Sequence, residues 1–153
     1  MSHELRSFKS KDAENVHTLI LGILTREYPF DRSAYTDSDL DRVAETYGGK
    51  KDAFFVIDEG DSVAGTIGIK METPDDAILR RFFVDVKRRR HGYGSELILK
   101  AIDFCRSKGY KRVFFRCTDR MSDAMKLCAK HGFKEIDTLS IGGFNIHKLM
   151  LEL

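Results

Sequence analysis

At 153 residues the chain has the length of one domain with one substantial core, read as a single unit over 1–153. Hydrophobic residues make up 42% and charged residues 33%, the balance of an ordinary soluble globular protein, and no apolar run is long enough to span a bilayer. A net charge of +2 is too even for wholesale nucleic-acid binding, and Cys105, Cys117 and Cys128 are too widely spaced to imply a metal.

The N-terminal stretch MSHELRSFKSKDAE lacks the apolar core of a secretory signal, so a cytoplasmic setting with reduced thiols is expected. His3 to Phe8 reads as a first strand. Ser10 or Asp12 then caps a helix whose stripe is Val16, Leu19, Ile20, Ile23 and Leu24, stopping before Pro29. A second helix is expected over Asp39 to Tyr47, closed by Gly48-Gly49. Ala53 to Ile57 and Ser62 to Lys70 read as strands joined at Asp58-Glu59-Gly60-Asp61, and a third strand runs from Ala77 to Val84. A helix with Leu97, Ile98, Ala101, Ile102, Phe104 and Cys105 on one face follows, ending near Gly109. Lys111 to Cys117 alternates like a strand, Ser122 to His131 reads as a helix, and Phe133 to Asp137 and Phe144 to Leu153 close the chain around Gly142-Gly143. The element order is β α α β β β α β α β β.

The junction FFVDVKRRRHGYGS, residues 82–95, carries the chemistry. It passes from an apolar strand through a basic turn into an amphipathic helix. Gly92 and Gly94 stand where the helix begins, so unpaired backbone N–H groups can face a ligand with no Cβ in the way. The helix dipole and Arg89, Arg90 and His91 favour an anion there. A nucleotide-binding P-loop needs Lys after the last glycine, and Ser95 stands there; a dinucleotide turn needs a third glycine, and Leu97 stands there. Two bland readings remain beside the anion site: the glycines make only a tight turn, and Lys87 to His91 is only a solvated surface.

Arg89-Arg90-His91-Gly92-Tyr93-Gly94 resembles the Arg/Gln-x-x-Gly-x-Gly/Ala signature of the GNAT superfamily of acyl-CoA-dependent N-acetyltransferases, and Leu79 to Val84 resembles the strand before it. Ala124 to Phe133, AMKLCAKHGF, resembles that family's Ala-x-x-Leu-Tyr-x-Lys-x-Gly-Phe segment, in the right order and at the right distance. The resemblance implies an α/β (α+β) fold. Its mixed, mostly antiparallel sheet has six to seven strands and about four flanking helices, and the strand ending at Val84 splays from the strand Lys111 to Cys117. It implies acetyl-CoA as co-substrate. Backbone at Phe82, Phe83 and Val84 would pair with the pantetheine arm, while Arg89, Arg90, His91, Gly92, Tyr93, Gly94 and Ser95 would surround the pyrophosphate.

The implied reaction is direct attack of an amine on the thioester within a ternary complex, with a backbone N–H near Val84 polarising the carbonyl. Two family positions differ. Cys128 stands where many members carry Tyr beside the CoA sulfur, and Met121 stands where they carry Asn. Cys128 is therefore the candidate general acid, set against the reading of a small packed side chain. No general base stands out: Glu72, Glu27, Asp85, His147 or a water relay are the candidates. Arg80 and Arg81 alternate across their strand, one facing solvent or substrate and the other an acidic neighbour. The acceptor amine would be chosen by Arg26 to Asp41 and Leu139 to Phe144. Glu27, Asp31, Asp37, Asp39 and Asp41 suit a cationic amine, or Asp37, Ser38 or Asp39 serve as helix caps. The expected partners are thus acetyl-CoA and an amine, neither nucleic acid nor membrane, with a homodimer left open. A non-catalytic acyl-CoA-binding module is the competing reading.

Overall fold

The computed structural model describes residues 3–27, 42–89 and 91–153, apart from the side chains of Glu27, Ile141 and Phe144. Among these, the β-branched and aromatic runs form seven strands: β1 (Glu4–Ser7), β2 (Ala53–Asp58), β3 (Val63–Met71), β4 (Asp76–Val84), β5 (Arg112–Thr118), β6 (Lys134–Ile141) and β7 (Phe144–Glu152). They make one sheet in the order β1-β2-β3-β4-β5-β7-β6. Every neighbouring pair is antiparallel except β4–β5, which is parallel.

Among the described residues four α-helices connect the strands: α1 (Ala13–Glu27), α2 (Val43–Thr46), α3 (Tyr93–Ser107) and α4 (Ser122–Lys130). α3 buries Leu97, Ile98, Ala101, Ile102 and Cys105, the stripe its periodicity predicts. Its end is a Schellman turn: Gly109 takes φ +79°, its N–H donates to Arg106 O, and the Tyr110 N–H donates to Cys105 O. Two glycines of β3 show which helices cover which face. A Cβ on Gly65 would meet Leu97 of α3 at 3.0 Å, and one on Gly68 would meet Tyr47, just past α2, at 2.8 Å. Three positions apart on a strand, they point to opposite faces, so α3 and α2 lie on opposite sides of the sheet.

The element order and the mixed, mostly antiparallel sheet agree with expectation. Of the second helix the described part is Val43–Thr46; Asp39 and Asp41 lie outside the described residues, as does the stop expected at Pro29. β6 runs on to Ile141 rather than ending at Asp137, because its pairing with β7 continues to the Gly142-Gly143 turn.

Candidate active site

β4 and β5 are partners only at their first residues, from Asp76–Arg112 to Leu79–Phe115. Beyond Leu79 the strands part, and the β5-facing edge of β4 has no strand beside it. The splay coincides with an irregularity on β4's other edge. Thr66 pairs with Phe83, but Gly68 pairs with Arg80, so Arg81 and Phe82 together oppose Ile67. Arg81 has φ +53°, a left-handed conformation that costs a bulky residue about 1–2 kcal/mol. The buried hydroxyl of Thr66 donates to Arg81 O at 2.7 Å and pins the bulge.

This extra residue changes the parity of the strand. Leu79 and Ala77 pair with Ile69 and Met71, on the α3 face; after the bulge Val84, opposite Gly65, takes that face, and Phe82 with it. The simple alternation expected of Arg80 and Arg81 therefore does not hold, and both arginines line the same cavity.

Two cavities open into the splay. One, of about 560 Å³, is walled by Phe82–Val84, the Gly92–Ser95 turn, and Ala124 and Leu127 of α4. The other, of about 460 Å³, lies along Ile78–Phe83 of β4, Phe115–Thr118 of β5 and Ile146 of β7. They share Phe82, Phe83 and Met121.

The turn is built to leave donors uncovered. The first backbone bond of α3 runs from the Glu96 N–H to Gly92 O, so the N–H groups of Tyr93, Gly94 and Ser95 precede any intrahelical acceptor. The two glycines do different work. Gly92 takes φ +81° to start the helix, with open space where its Cβ would be. Gly94 is helical, and a Cβ there would sit 2.7 Å from Leu127 Cδ2, so its absence lets α3 and α4 approach. Such a concave run of backbone donors at a helix start suits the pyrophosphate of an acyl-CoA.

Of the ten residues expected around the coenzyme, Phe82, Phe83, Val84, Arg89, Gly92, Tyr93, Gly94 and Ser95 line the larger cavity. Arg90 lies outside the described residues. His91 is exposed, its ring 6.1 Å from that of Tyr93, and does not line the cavity. The basic run is partly internal. Arg89 Nε–H donates to Val84 O at 3.1 Å. Arg88 Nε–H donates to Glu59 Oε1 and the Tyr93 hydroxyl to Glu59 Oε2, both at 2.6 Å. These bonds hold the buried Glu59 carboxyl below its ordinary range, Tyr93 first and Arg88 second. In sequence Glu59 is a turn residue of the β2–β3 hairpin; its partners lie about thirty positions away, and no local pattern marks them.

The candidates for proton transfer are spread out. Cys128 is fully buried, lines neither cavity, and has its thiol pushed up to about 12 by burial, with Cys117 adding to the rise. Met121 instead reaches both cavities. Glu72 pairs with Arg116 at 3.5 Å, and Asp85 accepts the Lys87 N–H and so caps a short 3₁₀ turn over Val86–Arg88. His147 lies between Glu135, 2.5 Å from Nδ1, and Asp119, beside Nε2. Glu27 ends α1, and its side chain lies outside the described residues, as do Asp31, Asp37, Asp39 and Asp41. No group of three or more metal-ligating side chains occurs among the described residues, and no helix there is long and apolar enough to cross a membrane.

Residues 18–133 match the model of the acetyltransferase (GNAT) family. The chain belongs to that family. GNAT proteins use acetyl-CoA as co-substrate, and membership supports acyl transfer as the chemistry of this fold. Among curated proteins none matches. Solved structures share the fold. A GNAT-family acetyltransferase from Staphylococcus aureus Mu50 superposes with a TM-score of 0.86 at 20% identity, covering 99% of both chains. Ard1 from Thermoplasma volcanium gives 0.82 at 23%, covering 100% of this chain and 99% of that one. A GCN5-related N-acetyltransferase from Kribbella flavida gives 0.81 at 21%, covering 99% and 98%.

Proposed function

We propose that residues 1–153 form one N-acetyltransferase domain that moves an acetyl group from acetyl-CoA to a primary amine by direct attack in a ternary complex. The observation that carries this reading is the meeting of two cavities at Phe82, Phe83 and Met121. The larger one, with the α3 donors, takes the coenzyme. The smaller admits the amine from the opposite side of the splayed strands. Effective catalysis here is largely positioning: a neutral amine and a thioester carbonyl held together need little further help.

In this reading the amine nitrogen attacks the carbonyl carbon, the C–N bond forms, the C–S bond breaks, and the thiolate of CoA leaves. The amine loses a proton to solvent or a relayed water, and the departing thiolate takes one up. Backbone N–H groups on the free edge of β4 stabilise the oxyanion as charge develops on it. Cys128 donates no proton in this reading, because it is fully buried, lines neither cavity, and burial pushes its thiol up to about 12.

Calorimetric titration with acetyl-CoA tests the coenzyme half. Wild type binds, and Gly92→Glu, which sets a carboxylate in the open space at the mouth of the cradle, does not. Absence of binding by wild type removes the proposal. Release of free CoA across an amine panel tests the catalytic half; binding without turnover on any amine favours the acyl-CoA-binding module, to which Met121 and the buried Cys128 lend support.

A further inference from the structure

The cavity assigned to the acceptor is basic. Among the described residues Arg80, Arg81 and Arg116 line it, and no carboxylate does. Lys70 pairs with Ile78, Ile78 with Phe114, and Arg116 with Lys148, while Arg80 stands opposite Gly68. Cross-strand partners share a face, so Arg80, Arg116 and Lys148 stand on one face, the one that Tyr47 covers at Gly68.

The charges there are unequally matched. Lys70 is satisfied by Asp52 at 3.0 Å and by Thr46 O, Arg116 touches Glu72 at 3.5 Å on an exposed edge, and Lys148 lies over the Phe114 ring beside Asp137 in register. The Arg80 side chain is half-buried and has neither a hydrogen bond nor an ion pair among the described residues. A partly shielded guanidinium without a protein acceptor is open to an oxyanion from a ligand. Apart from Thr118, the rest of the described lining is apolar, with Ile78, Phe115 and Ile146 along it and Phe82 and Met121 at the inner end.

We infer that the acceptor is an amine that also carries an oxyanion, a carboxylate or a phosphate, bound by Arg80 and Arg116 while its apolar body directs the nitrogen toward Phe82, Phe83 and Met121. This rests on the acetyltransferase reading above. It differs from the cationic amine that the acidic residues between Glu27 and Asp41 suit in sequence, because the described wall of the cavity carries three arginines. The position of Arg80 also separates it from coenzyme binding: it lines the acceptor cavity and not the pyrophosphate turn.

The test is a matched panel at saturating acetyl-CoA, read as free CoA released. L-phenylalanine and L-leucine are compared with their amides, O-phosphoethanolamine with ethanolamine, and spermidine serves as the cationic control. One or more anionic amines are expected to exceed the uncharged counterpart by about ten- to a hundredfold in kcat/KM, the range of a charged hydrogen bond. The amino-acid and phosphate arms tell carboxylate from phosphate. Arg80→Gln and Arg116→Gln should erase that ratio, mainly through KM, while acetyl-CoA affinity by calorimetry stays at the wild-type value. Equal rates within every pair, preference for spermidine, no turnover of any anionic amine, or a ratio unchanged in Arg80→Gln overturns the inference. Failure of wild type to bind acetyl-CoA instead removes the parent proposal, so the two failures are distinct.

Discussion

Cys128 shows how a motif position and its surroundings can point apart. Its place in the helix resembles that of a proton donor, yet it is fully buried and its thiol is pushed up to about 12. Cys128→Ala is therefore expected to leave kcat unchanged and to cost about 1 kcal/mol of stability through the small void it opens, checked by CoA-release kinetics and urea denaturation. A drop of kcat by orders of magnitude at unchanged stability would return Cys128 to the chemistry. The glycines of the turn divide in the same way. Gly92→Ala meets no steric obstacle but must hold φ +81°, so a loss of about 1 kcal/mol is expected with acetyl-CoA binding retained. In sequence both glycines look alike; only the partner at Gly94, Leu127 on another helix, separates their roles.

At the level of elements, the turn before α3 is held by the β2–β3 hairpin through Glu59, and this bridge makes the proposed coenzyme cradle depend on a distant loop. Removing the carboxylate in Glu59→Ala leaves Arg88 and the Tyr93 hydroxyl without their acceptor, at an expected cost of about 1–3 kcal/mol. Acetyl-CoA affinity should fall alongside, because Tyr93 opens the helix whose N–H groups form the cradle. The sign with pH follows from the depressed carboxyl. The contribution is complete above the ordinary carboxylate range, near pH 4.3, and is lost as pH falls through the lower folded value. Denaturation of wild type and Glu59→Ala at pH 7 and pH 3 checks this: the gap should narrow in acid, and a constant gap would show that the carboxylate is not the bridging form. Strands, helices and the glycine turn were legible because periodicity and glycine placement are local signals. The β4 bulge was not, since Arg80-Arg81-Phe82-Phe83 reads as continuous strand and only its register against Thr66 and Gly68 exposes the extra residue. Without the bulge, no pattern assigns both arginines to one cavity.

Across the whole molecule the splay between β4 and β5 divides the sheet into two wings, and each needs its own fastening. On one wing Arg6 donates to both oxygens of Asp12, each at 2.8 Å, and to Asp58 at 2.9 Å, joining β1, the start of α1 and the end of β2. On the other, His147 of β7 joins Asp119, just beyond β5, to Glu135 of β6, so one imidazole spans three strands. That clamp also holds the Asp119–Met121 segment, which carries Met121 into both cavities. Asp119 first, and Glu135 after it, raise the affinity of His147 for its second proton, since only the imidazolium can donate to two carboxylates at once. A raised folded value means the clamp is complete below the unfolded histidine range, about 6.5, and is lost as pH rises through the folded one. His147→Leu should therefore destabilise the protein more at pH 6 than at pH 9, with the difference in denaturation midpoint between variant and wild type shrinking steadily over that interval. Should the difference widen with pH, the neutral ring would be the stabilising form and the two carboxylates could not both be ionised beside it.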